Sequence, residues 1–146
     1  MTPEPARDAI ASLTNQLGPA SRALLDELSR LLLDQHKLLL ELEKARYEET
    51  NGPVGGPGNF LNLLLGAPQF AWLRQISGLV VDIDEALSRR SKAVETDAAA
   101  LLARVRETMA PREDGDDFQT RYYAAVQASP DVVILQVRIE RLLGLQ

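Results

Sequence analysis

"PASRALLDELSRLLLDQHKLLLELEKARYEET", residues 19–50, repeats leucine at intervals of three and four residues. At about 100° of rotation per residue, these leucines fall on one broad face, as in an amphipathic helix. Pro19 suits the first position of such a helix, and Asn51-Gly52 suits its end. Gln35 and Arg46 lie near the middle of the apolar face. The stretch therefore predicts one long helix whose inward face turns polar at two positions.

The rest of the chain also has helical periodicity. A short helix is predicted over residues 59–66, with Asn59 as its cap, and a second long helix from Pro68 to about residue 90. Further helices are predicted from the cap Thr96, after the turn "REDGDD", and from Ser129-Pro130. In the last of these, "VVILQVRI" also suits a strand, so residues 130–143 remain open between helix and strand, with the cap favouring helix.

These elements predict an all-α fold, a helical bundle of four main amphipathic helices plus short helices. Short connections join the elements, so we expect residues 19–146 to form a single domain. Residues 1–18 are rich in proline and polar residues, and we expect a weakly structured or short-helical segment there.

Composition narrows the class of protein. The chain has 146 residues, of which 45% are hydrophobic and 25% charged, with a net charge of −5 and scattered basic residues, so nucleic acid is not an expected partner. It has no cysteine, which excludes thiol catalysis and disulfides. It has no apolar run that could cross a membrane and no signal-peptide pattern. We expect a cytoplasmic protein with no membrane partner.

The first long helix carries a second apolar edge. Leu33, Leu40 and Tyr47 follow one another at intervals of seven residues, about 120° around from the main leucine face. One layer of neighbouring helices does not require apolar residues there, so the edge predicts a homodimer or the docking of another protein.

His36, the only histidine, lies near the same edge as Glu43 and Tyr47. These three side chains can line a polar pocket, or they can be an ordinary boundary histidine, a salt-bridging glutamate and a packing tyrosine. A di-iron site needs Glu-x-x-His pairs, but residue 33 is leucine and there is no second histidine, so no metal or other cofactor is expected.

A glycine- and proline-rich loop, "NGPVGGPGNF" (51–60), follows the first long helix. Gly55, Gly56 and Gly58 permit positive φ, and Asn59 marks the predicted helix start, where free backbone N–H groups can hold an anion. Trp72 supplies a flat apolar wall shortly after the loop. The alternative is a purely structural turn, since the loop lacks the spacing and the lysine of a phosphate-binding loop.

The stretch "YEETNGPVGGPGNFLNLLLGAPQFAWLRQISGLVVDIDEAL", with "DQHKLLLELE" before it, resembles a group of small helical bacterial proteins without an assigned activity. The shared elements are a tyrosine, then G-P-V-G-x-P-G-x-F-L-x-L-L, F-A-W-L-R and D-I-D-E-A-L. The resemblance covers roughly residues 34–90. It implies a bacterial, cytoplasmic helical protein and supplies no site residues.

Three functional hypotheses follow. The first is a non-enzymatic protein that associates with itself or with a partner through its first long helix. The second is a small-ligand or anion sensor that uses the loop over residues 52–58 with His36, Tyr47 and Trp72. The third is an enzyme with His36 as its base, which ranks last because no nucleophile, metal set or cofactor motif accompanies that residue.

Overall fold

A computed structural model describes residues 16–144, which form six α-helices and one 3₁₀ segment. The elements are α1 (Pro19–Asn51), α2 (Pro57–Gly66), the 3₁₀ segment (Pro68–Leu73), α3 (Arg74–Leu87), α4 (Glu95–Thr108), α5 (Asp117–Ala128) and α6 (Pro130–Leu142). The predicted all-α fold is confirmed, whereas the predicted number of four main helices is not. Most of the predicted amino-terminal segment lies outside the described residues.

α1 organises the bundle. Its 33 residues span about 50 Å, at about 1.5 Å per residue. It begins at Pro19 and ends where Gly52 adopts a φ of +78° and donates its N–H to the Glu48 carbonyl, as the sequence predicted. α1 packs mainly against α3 and α6, and the leucines of its main face form much of the core.

Two helices begin earlier than predicted. α2 begins at Pro57, and Asn59 lies inside its first turn, because proline fixes φ near the helical value and needs no hydrogen bond at the first position. α4 begins at Glu95 with Val94 as its cap residue, where the carboxylate of Asp97 accepts the Val94 N–H at 2.8 Å. Thr96 is therefore a helical residue and not the cap.

The predicted second long helix, 68–90, is two elements. Residues 68–73 form the 3₁₀ segment, and the α-helix proper runs from Arg74 to Leu87. Tighter 3₁₀ turns are common at the amino-terminal ends of α-helices. The inward face predicted for this stretch is confirmed, since its members from Trp72 to Ile83 are buried: Trp72, Leu73, Ile76, Leu79, Val80 and Ile83.

Residues 130–142 are helical, which resolves the alternative between helix and strand. The Ser129 hydroxyl accepts the Val132 N–H at 3.4 Å, and Pro130 occupies the first helical position. Among residues 16–144, no helix is long and apolar enough to span a membrane.

Candidate functional site

A groove runs between α1 and α5. The 3₁₀ segment contacts both helices and forms the floor, while α5 packs mainly against α6. One end is closed by a hydrogen bond of 2.7 Å from Gln35 of α1 to the Tyr122 hydroxyl of α5. Past Leu39, Glu43 is the only buried residue of α1, so the inward face of this helix continues into open space. The groove has a volume of about 630 Å³.

The lining of this α1–α5 groove combines apolar, small and charged side chains. α1 contributes Leu39, Leu42, Glu43, Ala45, Arg46 and Glu49, and the floor contributes Trp72. The opposite wall consists of Thr120, Arg121, Ala124, Ala125, Ala128 and Ser129. Three alanines on this wall leave the space that larger residues would fill.

Arg46 is one of the two polar residues on the leucine face of α1, and its exposure explains why a charged residue is tolerated there. Its side chain is 73% exposed because no helix covers this part of α1. The Nη1 atom lies 3.8 Å from Oε2 of Glu43, whose side chain is only 7% exposed. That separation permits electrostatic attraction but exceeds hydrogen-bond distance. The guanidinium N–H groups of Arg46 are thus not taken up by Glu43.

Trp72 supplies an aromatic surface and an unused donor. Its ring centroid lies 5.6 Å from that of Phe118, and the residue is 8% exposed. Its Nε1 atom is buried and has no hydrogen-bond acceptor among residues 16–144. Buried indole N–H groups usually find an acceptor. Trp72 therefore lines the groove, and its indole N–H, which is closed off from solvent, has no acceptor in the described chain.

The other polar position, Gln35, belongs to a buried hydrogen-bond chain. Gln35 Nε2 donates to the Tyr122 hydroxyl and, at 3.0 Å, to the Val132 carbonyl. The Tyr122 hydroxyl donates to Gln136 Oε1, and Gln136 Nε2 donates to the Met109 carbonyl at 2.9 Å. Burial raises the pKa of Tyr122, and the charge of nearby Glu140 adds to that effect, although the Gln35 hydrogen bond opposes it. This chain fixes α1, α5 and α6 together at the closed end of the groove.

The structure separates the residues that the sequence grouped into one ligand site. Glu43 and Trp72 line the α1–α5 groove, whereas Tyr47 and Asn59 line a second hollow of about 490 Å³ beside the loop. His36 lines neither; it is half-buried, and burial lowers its pKa.

The loop uses several of its donors internally. The Val54 N–H donates to the Glu48 carboxylate at 2.9 Å, and the Gly52 N–H donates to the Glu48 carbonyl. Of the three glycines singled out, only Gly55 has a positive φ, +88°. Gly56 has a φ of −76°, and Gly58 lies within α2.

The second apolar edge of α1 is partly covered by the chain itself. Leu40 and Tyr47 pack against the core, and the Tyr47 ring centroid lies 5.8 Å from that of Phe70. Leu33 is 48% exposed. A continuous exposed strip is thus not present, and Leu33 is the member of the edge that faces solvent.

The sequence analysis missed the α5 wall of the groove, with Thr120, Arg121 and Ser129. Its only indication was Arg46, a charged residue at the centre of an otherwise apolar face. Within residues 16–144, no three histidine, cysteine or acidic side chains lie together as metal ligands. Comparison with known proteins gives no match to a protein-family model, a curated protein or a solved structure.

Proposed function

We propose that the protein is a non-enzymatic binding protein that holds a small molecule in the α1–α5 groove. The observation that carries this proposal is the groove itself, a hollow of about 630 Å³ between α1 and α5 that the described chain leaves unfilled beside the buried residues Leu39 and Trp72. A ligand that covers Leu39, Leu42 and Trp72 would remove apolar surface from water when it binds.

The size and chemistry of the groove support this function. Small-molecule sites commonly have volumes of roughly 300–1,000 Å³ and combine apolar walls with a few polar groups. The groove offers Leu39, Leu42 and the Trp72 ring as apolar surface, with hydroxyl and charged groups at its rim. We propose binding without catalysis because the lining contains hydroxyls but no histidine to activate them. On the resemblance of residues 34–90, we place the protein in the bacterial cytoplasm.

Trp72 makes the proposal directly testable, because it is the only tryptophan in the sequence. We expect 3-phenylpropanol, a neutral probe with an aromatic body, to change the fluorescence emission of Trp72 saturably as the probe concentration is raised. The variant Ala125→Leu narrows the groove and should weaken this binding about tenfold or more, whereas Ala99→Leu, on the exposed surface of α4, should not.

If Ala125→Leu and Ala99→Leu bind the probe equally well, the probe binds elsewhere on the protein. A linear, unsaturable change in emission would count against a small-molecule site in the groove. Circular dichroism of both variants checks that the helices remain formed.

A second candidate function is self-association through α1 and α3. Arg22 of α1 donates to the Leu87 carbonyl of α3, and Ser29 donates to Asp84 at 2.8 Å, so the two helices run antiparallel. Leu33 and Val81 therefore lie at about the same level of the pair. They are 48% and 59% exposed. Two neighbouring apolar side chains in water suit a contact with another copy of the chain.

Light scattering tests this second candidate. We expect a dimer at high micromolar concentration and a folded monomer for Leu33→Glu, because a charge would be buried in the contact. Ala23→Glu adds the same charge at another exposed position of α1 and should remain dimeric. A wild-type monomer at that concentration would exclude self-association as the function.

A further inference from the structure

We propose that two copies of the chain pair through α2, with the two helices antiparallel and related by a two-fold axis. This contact is separate from the proposed ligand site, because no residue of α2 lines the α1–α5 groove. It is also separate from the Leu33–Val81 pair on α1 and α3. The proposal therefore goes beyond both functions considered above, and its failure would leave the groove unaffected.

The outward face of α2 is apolar. At about 100° of rotation per residue, Gly58, Leu61, Asn62 and Leu65 fall in one stripe along the helix. All four residues are exposed, Leu61 to 55% and Leu65 to 68%. The outward stripe of a surface helix is ordinarily polar or charged. Two largely exposed leucines one turn apart therefore indicate a contact with another molecule.

The surroundings of this stripe carry no charge. Residues 51–73 contain no Asp, Glu, Lys or Arg, although 25% of the whole chain is charged. Lys44 and Arg74 contact α2 from other elements: Lys44 Nζ lies 4.9 Å from the centroid of the Phe60 ring, and Arg74 donates to the Leu65 carbonyl at 2.8 Å. The cores of protein–protein interfaces are likewise depleted in charged residues. The segment thus has the composition of an interface core.

The distribution of charge identifies a second copy of the chain as the occupant. The chain has a net charge of −5, so two copies repel each other on average. An approach through the uncharged residues 51–70 places the fewest like charges near one another. A membrane is a poorer partner, because helices that lie on a membrane surface carry Lys or Arg on their polar face, and α2 has neither.

The stripe is also complementary to itself in shape. Its spacing is symmetrical about the point midway between Leu61 and Asn62, so in an antiparallel pair Leu65 of each copy lies opposite Gly58 of the other. A side-chain carbon added at Gly58 would meet no atom within 4 Å, so the space beside this glycine is open. The most exposed leucine of the stripe therefore lies opposite its smallest residue, and it does so twice.

The size of the surface predicts a weak dimer. A standard protein–protein interface uses about 20–30 residues from each partner. Among residues 51–70, all but Val54 and Phe70 are at least partly exposed, and a single helix face presents only some of them to a partner. The contact is therefore at the small end of specific interfaces, and we expect a dissociation constant in the micromolar range.

Sedimentation equilibrium tests the contact. We expect the wild type to dimerise and Leu65→Glu to raise the dissociation constant about tenfold or more, because a charge would be buried against each α2. Ile134→Glu is the matched control, since Ile134 of α6 is 51% exposed and lies outside the contact. The α2 contact also predicts that Leu33→Glu stays dimeric, which is the opposite of the expectation for the α1–α3 contact.

Gly58→Leu tests the antiparallel register without adding a charge. It fills the space opposite Leu65 and should weaken the dimer about tenfold or more. Because leucine favours a helix more than glycine does, the variant should lose no stability in urea, and circular dichroism should show intact helices. A wild-type monomer at high micromolar concentration, a Leu65→Glu variant as dimeric as the wild type, or an unchanged dissociation constant for Gly58→Leu would each overturn the proposal.

Discussion

The Tyr122 hydroxyl stands at the centre of the buried hydrogen-bond chain, so Tyr122→Phe is a sharp test of how the helices are held together. The substitution keeps the ring, whose centroid lies 5.5 Å from that of Phe118, and removes only the oxygen. Two hydrogen bonds disappear, one from Gln35 and one to Gln136. Gln35 Nε2 keeps the Val132 carbonyl, but Gln136 Oε1 loses this buried donor.

Each buried hydrogen bond contributes about 1 kcal/mol net, and a buried acceptor left without a donor costs about 1–3 kcal/mol. We therefore expect Tyr122→Phe to lower the free energy of unfolding by roughly 2–3 kcal/mol. For a chain of this size, that corresponds to a fall in Tm of roughly 5–10 °C. Urea unfolding followed by circular dichroism measures the change, with the partly buried neighbour Tyr123→Phe as the control. A loss no larger than that of Tyr123→Phe would refute the assigned role of the hydroxyl.

The same hydroxyl predicts a dependence on alkaline pH. Because burial raises the pKa of Tyr122, the phenol stays protonated in the folded chain after it begins to ionise in the unfolded chain, near pH ~10. Its contribution to stability is fully present below that pH and falls as the pH rises further. The difference in stability between wild type and Tyr122→Phe should therefore shrink from pH 9 to pH 11. A constant difference would contradict the raised pKa.

Other predictions address single positions. Gly55→Ala places a side chain on a residue with positive φ, close to the Asn59 amide, and should lower the free energy of unfolding by about 1–3 kcal/mol. Gly58→Ala, within α2, should raise the free energy of unfolding by up to about 1 kcal/mol. Equal urea midpoints for the two variants would show that the loop has no fixed shape. Hydrogen bonds from Ser21 and the Gly18 N–H lower the pKa of Glu95, so the contribution of this carboxylate to stability is present above the unfolded pKa, near ~4.5, and is lost as the pH falls. The stability of Glu95→Gln should therefore decline less than that of the wild type between pH 5 and 3. An equal decline in stability would contradict the lowered pKa.

The long helix and its inward face could be predicted because periodicity alone determines them. Leu25, Leu28 and Leu32 recur on one side, and any bundle must bury that side. The last helix was ambiguous, because β-branched residues also suit a strand. There the local cap of Ser129 and Pro130 indicated the correct alternative.

The groove could not be predicted, because it depends on where other helices end. The sequence identified Arg46 and Gln35 as equivalent polar interruptions of one face. The structure gives them opposite environments, since α6 covers Gln35 and no helix covers Arg46. Likewise, Glu43 and Tyr47 share an edge of α1, yet one faces the groove and the other packs on Phe70. Spacing along a helix cannot distinguish such neighbours.

The contact between α1 and α6 also has a consequence for synthesis of the chain on the ribosome. Gln35 and its acceptor Val132 are 97 positions apart, so the apolar face of α1 leaves the ribosome long before α6 exists to cover it. At about 5–20 residues per second, this interval lasts roughly 5–20 s. During that time the leucines of α1 can be shielded only by the elements made before α6, mainly α3, or by a chaperone. Nascent chains stalled after residue 90 should therefore be protease-sensitive near Leu31 and Gln35, and chains released after α6 should be protected there.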